Sequence, residues 1–356
     1  MFGTTEHALR ILYDNDKPFG GINVVLVGDF DQKLPVQTGG SLAQVLVNSV
    51  TDDVRYMSVK EVLKRNVADV FGKFRKYELT TNHRLKGLQR KLRAILKRLR
   101  NHQERQPITR ELLKSLPQLK SLDAMTKTER EKWQFCPIMC TGNATRQRIN
   151  MFKVIEYGKH KKLPILEFYD KLSNITDPDK LQELSHILRL KNPIKHYLVP
   201  GAPAILTKNV KHFEHRGLVN SARGKMISMT WNENDHNDEN VCKWYKGDMK
   251  GGVIYHVPLP YAITVKMEKT GELFPVLQER TTVNVPKWLA SSVRLRPKIR
   301  VTTHMVDLGF AFTDYKVQGL TINKLVIMLN KDAALHDLAT IYVGIFRVTR
   351  IVDLRI

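Results

Sequence analysis

Two short polar clusters, each set at the end of an apolar run, hold the side chains of this 356-residue chain best suited to meet phosphate. One lies in GGINVVLVGDFDQKLPV, Gly20 to Val36, with Asp29 and Gln32 in its turn. The other lies in GFAFTDYKVQGLTINKLVIML, Gly309 to Leu329, where Thr313, Lys316 and Gln318 precede Gly319. A threonine, a lysine and a glutamine beside a strand end form a reasonable contact set for a phosphate backbone, and Gly319 permits a tight bend or a close backbone approach. Thr141 and Asn143 hold the comparable place in FCPIMCTGNATRQRINMF, although both residue types are also common helix caps. Arg84 in LTTNHRL and Arg347 in IYVGIFRVTR stay charged and match phosphate oxygens bidentately. A surface or lobe-bridging ion pair would use either arginine equally well. Tyr315 could stack on a base, whereas Phe310 and Phe312 suit core packing.

Clusters so far apart in the chain form a site only where a fold gathers strand ends, as an α/β sheet does at its carboxyl edge. The elements that would do so can be read along the chain. Leu9, Ile11 and Leu12 predict a short amphipathic helix, closed by the turn-prone DNDKPFGG. Ile22 to Val27 reads as a strand buried on both faces of a parallel sheet. In LQRKLRAILKRLR, Leu88, Leu92, Ile95, Leu96 and Leu99 share one helical face and the bases take the rest, the pattern of a core stripe under a solvated face. A polar, charge-rich segment from about Gln103 to Lys132 reads as a linker. FCPIMCTGNATRQRINMF then predicts a strand, a turn at Thr141 to Asn143 and a helix from near Ala144. VPGAPAILTKN supplies another strand. Between Lys225 and about Pro297 short alternating runs (KMISMTW, GVIYHV, AITVKM) predict a small antiparallel β module.

Composition narrows the partner. Lys and Arg number 58 against 35 Asp and Glu, a net charge of +23, which favours a polyanion, nucleic acid before membrane. Three cysteines cannot build a disulfide framework, and Cys136 and Cys140 have no His or Cys at zinc spacing, so no metal site is expected. No apolar run approaches the roughly 18 residues of a membrane span, and the first residues have the character of neither signal nor transit peptide.

The phosphate-cradling pattern GxxxxGK[ST] is absent. Its nearest candidate, Gly224-Lys225, has Val219 at the first glycine and Met226 at the hydroxyl position. VVLVGD has the form of a magnesium-binding Walker B strand ending in Asp29, but the residues after it point elsewhere. GDFDQKLPV resembles the GDFxQLPPV segment of the Pif-type (petite integration frequency) DNA helicases, superfamily-1 motors related to RecD. LTTNHRL resembles the family's motif IV region, and GAPAILTKN with RGLVNSARGKMI resembles its GxPVMLLRN and GLxNGTRG segments. FAFTDYKVQGLTINKLVI is similar to motif V, AxTIHKSQGxT, and IYVGIFRVTR to motif VI, YVALSR. Departures are Lys33 and Leu34 in the first segment, Tyr315 and Val317 in motif V, and Gly344-Ile345-Phe346 in motif VI.

The resemblance implies an α/β fold of RecA-like lobes: the remainder of a first lobe plus linker over 1–132, a second lobe over 133–224 and 298–356, and an SH3-like β insert over 225–297. It implies an ATP-dependent 5′→3′ DNA helicase, with roles in repair, recombination and telomere maintenance, acting with ATP and Mg2+ on single-stranded or forked DNA, as a monomer, in the nucleus or the mitochondrion. Gln32 would sense the γ-phosphate, and Arg84 and Arg347 would approach it from either side of the lobe cleft. Asp29, Gln318 and Gly319 would border the nucleotide, and Thr141, Asn143, Thr313, Tyr315 and Lys316 the DNA. The family's Walker A and DExSM boxes would lie before residue 1, so little or no ATPase is expected of this chain alone. A remnant that holds single-stranded DNA without hydrolysis is the competing class, and a fragment that does not fold stably is a third.

Overall fold

A computed structural model describes residues 2–29, 70–79, 81, 83–87, 89–100, 114–173, 194–284, 298–329 and 338–356. The chain divides into two compact units, Met1–Leu85 and Lys86–Ile356.

In the first unit, helix α1 (Phe2–Leu12) runs into a turn where Phe19 adopts φ 56°. The helix buries a carboxylate rather than its apolar end. Glu6 is buried, pairs with Arg10 at 2.5 Å and accepts the Phe19 N–H at 3.3 Å, while Ile11 and Leu12 face solvent. The strand expected over Ile22 to Val27 is not formed: residues 22–29 are irregular, and Val25 and Val27 are 85% and 87% exposed. An apolar run becomes a buried strand only when neighbours take its backbone and cover its faces, and no strand pairing among the described residues includes it.

The second unit holds helices α2 (Arg90–Arg100), α3 (Lys127–Trp133), α4 (Asn143–Lys161), α5 (Glu239–Lys246), α6 (Asp314–Val317) and α7 (Leu338–Ile345). Its strands are β1 (Ile138–Cys140), β2 (Ile165–Tyr169), β3 (Lys171–Leu172), β4 (Lys195–Leu198), β5 (Pro203–Leu206), β6 (Arg223–Thr230) and β7 (Ile254–His256), followed by β8 (Ala262–Met267), β9 (Leu273–Asn284), β10 (Lys298–His304), β11 (Val306–Leu308), β12 (Ala311–Thr313), β13 (Leu325–Ile327) and β14 (Leu354–Arg355).

Four strands form a parallel sheet in the order β12-β1-β13-β14. Helix α7 presses onto β1 and β13 through Gly344, where a Cβ would fall 2.6 Å from Met139 Cε and 2.7 Å from Ile327 Cδ1. Glycine in place of the usual alanine of motif VI therefore sets the closeness of that packing. Helix α2 packs on α7. It buries Leu92, Ile95, Leu96 and Leu99 and leaves Lys91, Arg93, Lys97 and Arg98 outside, as the periodicity predicts. Each such aliphatic side chain contributes roughly 1.5–3 kcal/mol by leaving water.

Seven strands form an antiparallel sheet, β11-β5-β6-β8-β9-β10-β3, with a bulge between Met226 and Ser228. It draws strands from both sides of the 225–297 segment, from Lys171 to Leu308. GVIYHV runs otherwise than its alternation suggests: β7 leaves the antiparallel array and lies parallel to β2, in a sheet ordered β4-β2-β7. The backbone before β7 passes so close to the end of α4 that a Cβ on Gly251 would sit 2.1 Å from the Lys162 carbonyl oxygen.

Candidate nucleic-acid interface

β1 and β12 are parallel neighbours, with Cys140 level with Thr313. Their carboxyl ends carry the Thr141–Asn143 turn and the Asp314–Gly319 turn out of the same sheet edge, side by side, where open α/β sheets bind ligands. Two clusters 170 residues apart in the chain are thus joined by one strand pairing.

The N-cap of α4 is Gly142 and no side chain caps it, so Thr141 and Asn143 are not caps. Thr141 is half-buried and Asn143 exposed. First-turn N–H groups of a helix lack acceptors within it, and α4 has no acid in its first turn. That end therefore favours an anion.

One turn into α4, Arg146 Nη1 lies 2.5 Å from Asp307 Oδ2 in the middle of β11. From the neighbouring turn, the half-buried Lys316 donates to Asn220 Oδ1 at 2.5 Å. Burial lowers the Lys316 pKa, the Arg146 charge lowers it further, and Asp307 opposes them. Two cations and one carboxylate thus share one field, and an incoming phosphate would relieve the repulsion between the cations. Beside them, the Arg223 guanidinium lies 5.5 Å from the centroid of the Phe312 ring.

Two residues that the sequence reading did not single out hold this edge in place. Asn150, buried in α4, donates to the Leu308 carbonyl at 3.0 Å and accepts the Ala311 N–H at 2.7 Å, fixing α4 against the start of β12. Asp314, also buried, accepts the Tyr315 N–H at 3.0 Å and the Thr340 hydroxyl at 2.9 Å, tying the turn to α7. Neither Arg146 nor Asn220 was anticipated, although both lie inside quoted segments: each makes its contact with a residue nearly a hundred or more positions away.

The remaining expected site residues fall as follows. Thr313 is buried at the strand end, Tyr315 is 44% exposed, and Phe310 and Phe312 are core. Gln318 is half-buried, and Gly319 takes φ 82°, a left-handed conformation of the kind that a tight bend uses. Arg347 is fully buried; its Nε donates to the Val343 carbonyl at 2.9 Å and its Nη1 to the Leu320 carbonyl at 3.3 Å. Its own carbonyl accepts the Ile322 N–H at 2.8 Å. As placed, Arg347 brackets the segment after Gly319 to the end of α7 and does not present its donors at an open surface. Asp29 and Arg84 belong to the first unit, both half-buried, and Gln32 lies outside the described residues. No cluster that could hold a metal ion occurs among the described residues, and no described helix is long and apolar enough to cross a membrane.

Residues 1–104 match the family model of the PIF1-like helicases. No curated protein sequence matches the chain. Among solved structures, the fold is similar to a Pif1 helicase studied for unwinding at forked double-stranded DNA by two coordinating helicases, with a TM-score of 0.58 at 20% identity, covering 99% of this chain and 65% of that one. Bacteroides Pif1 bound to single-stranded DNA gives a TM-score of 0.59 at 19% identity, covering 99% and 66%. Bacteroides Pif1 with ADP-AlF3 and single-stranded DNA gives 0.56 at 18%, also covering 99% and 66%. The chain thus spans about two thirds of the length of the helicases it matches, with the RecA-like α/β architecture they share. Over its first 104 residues the chain is thus similar to the PIF1-like helicases, and over nearly its whole length it shares their fold.

Proposed function

We propose that the chain binds single-stranded DNA across the carboxyl edge of β1 and β12, as the strand-holding portion of an ATP-driven 5′→3′ DNA helicase. The observation that carries this reading is the pairing of β1 with β12, which sets Thr141 and Asn143 beside Thr313 and Lys316. In it, Lys316 and Arg146 take backbone phosphates by charge, and the hydroxyls and amides of the two turns fix the strand's register without reading its sequence. Tyr315 offers an exposed ring to a base. Relatives described with single-stranded and forked DNA support the same substrate class.

ATP with Mg2+ would supply the driving reaction in the whole protein, a reading supported by the relative held with ADP-AlF3. As placed, Arg347 is enclosed and gives two of its donors to carbonyls inside the fold rather than to an open surface. That same placement favours a second reading, in which this chain holds DNA without turnover.

Titration of a labelled oligothymidylate tests the interface. Lys316→Ala is expected to weaken binding several-fold and to flatten the dependence of log K on log salt by about 0.7, the release of one counterion from a single strand. Undiminished affinity and slope in that variant would move the track elsewhere. An unbound oligonucleotide at low salt would end the proposal.

A further inference from the structure

The loop that joins β5 to β6, residues 207–222, starts and ends at the interface but reaches beyond it. Its two legs are tied where the Asn220 N–H donates to Asn209 Oδ1 at 2.8 Å, and the same Asn220 side chain receives Lys316. Four residues further out, no more than about 14 Å of chain, the tip carries Phe213 and Arg216. The Phe213 ring packs edge-on against Phe274 of β9, centroids 5.0 Å apart, and the Arg216 guanidinium lies 5.9 Å and 5.8 Å from the two ring centroids. Phe213 remains 37% exposed, and Lys211, His212, His215 and Arg216 are exposed around it. Glu214 is the sole acid between Thr207 and Lys225, against Lys208, Lys211, Arg216, Arg223 and Lys225. Arg216 also pairs with Glu272 at 3.2 Å, with both side chains substantially exposed, so a phosphate can replace that partner at little cost. His212 and Ser221, neither of them glycine, are held at φ 68° and 72°. Strain of that kind persists only where the surroundings enforce it.

A folded core does not need an aromatic ring and a guanidinium piled at the end of a basic loop. A single strand leaving Lys316 along the loop would meet them next. We propose that this tip is a second nucleic-acid contact, in which Phe213 stacks an unpaired base and Arg216 takes the adjoining phosphate. The proposal rests on the single-strand interface of β1 and β12. An aromatic face suits a base of any identity, and a neighbouring guanidinium supplies the charge that the next phosphate requires.

The test uses the full chain and oligothymidylates of about 4 and about 12 nucleotides, the range over which single-strand sites grow, with one internal 2-aminopurine as stacking reporter. Wild-type protein is expected to bind the longer strand more tightly and to quench the reporter. Phe213→Ala should lose roughly 5- to 150-fold in affinity for the longer strand, keep its affinity for the shorter one, and lose the quenching. Phe213→Leu preserves the apolar cover of Phe274 without a stacking face and should behave as the alanine variant does, while Phe213→Trp should retain both signals. A leucine variant that binds and quenches as wild type would reduce Phe213 to packing and overturn the proposal. So would tighter binding of an unrelated acidic peptide than of the longer strand at the same tip. If Lys316→Ala weakens binding while every Phe213 variant binds normally, the tip is wrong and the interface stands. If no strand binds the wild type, the interface itself has failed.

Discussion

Arg347 shows how a side chain singled out by resemblance can be found in a different posture. The resemblance of IYVGIFRVTR to motif VI implies an arginine that would approach phosphate, yet here it is enclosed and bonded to the carbonyls of Val343 and Leu320. Together with the Thr340–Asp314 hydrogen bond, it clasps the Asp314–Ile322 segment to α7 at two points. Removing the guanidinium strands two buried carbonyls, each worth roughly 1–3 kcal/mol when left unmet. Arg347→Ala is therefore expected to lower the urea midpoint clearly and to weaken single-strand binding with it, because Lys316 sits on the segment that is released. Lysine should not rescue, since a single ammonium cannot span two acceptors as a planar fork does. An alanine variant of wild-type stability that loses only ATP turnover would instead assign Arg347 to the nucleotide.

At the scale of elements, what could be read from the chain was what local periodicity and turn chemistry encode. The Leu92, Ile95, Leu96 and Leu99 stripe of α2 and the strand-turn-helix around Thr141 both formed where the pattern put them. The Ile22–Val27 run did not become a strand, because a strand is completed by partners that its own residues do not specify. The Lys316–Asn220 contact was illegible for a related reason, since it depends on β5, β6 and β12 meeting across the unit. Illegible too was the layer where β2 and β4 adjoin β10. There Asp170 and His196 form an ion pair at 3.0 Å, His196 stacks on Phe168 with centroids 5.5 Å apart, and His304 Nε2 lies 2.6 Å from the Pro260 carbonyl oxygen. Burial alone would lower the His196 pKa, but the charges of Asp170 and Asp307 outweigh it and the net shift is upward. Such a group stabilises the fold fully below its unfolded pKa of about 6.5, and the contribution disappears as pH rises through the raised folded value. His304 shifts downward, through burial and the neighbouring His196 charge. Its contribution is complete above about 6.5 and is lost as pH falls through the lowered value. Stability should consequently peak near neutrality's acid side and decline towards alkaline pH. Asp170→Asn should flatten that alkaline limb in urea titrations from about pH 6 to 9; an unchanged limb would remove His196 from the account.

For the whole molecule the deciding quantity is where the charge of +23 acts. Spread evenly, it would hasten encounter with any polyanion but leave few counterions to be displaced at one place. The second unit is not even in this respect. Arg146 and Lys316 share one sheet edge, Arg223 lies beside it, and Lys208, Lys211 and Arg216 continue along the β5–β6 loop. Several of these are already paired with carboxylates, Arg146 with Asp307, Lys208 with Glu279 and Arg223 with Glu268, so each must exchange a partner to hold a phosphate. About five phosphates neutralised on a single strand would give a slope of log K against log salt near −3.5. The value should be the same for different base sequences, since contacts to the backbone carry no sequence information. Combining Lys316→Ala with Arg216→Ala should bring it to about −2.1, each cation removing about 0.7. A slope near zero, or one that the double variant leaves unmoved, would mean that the charge is a solvated surface and that the sheet edge holds no strand.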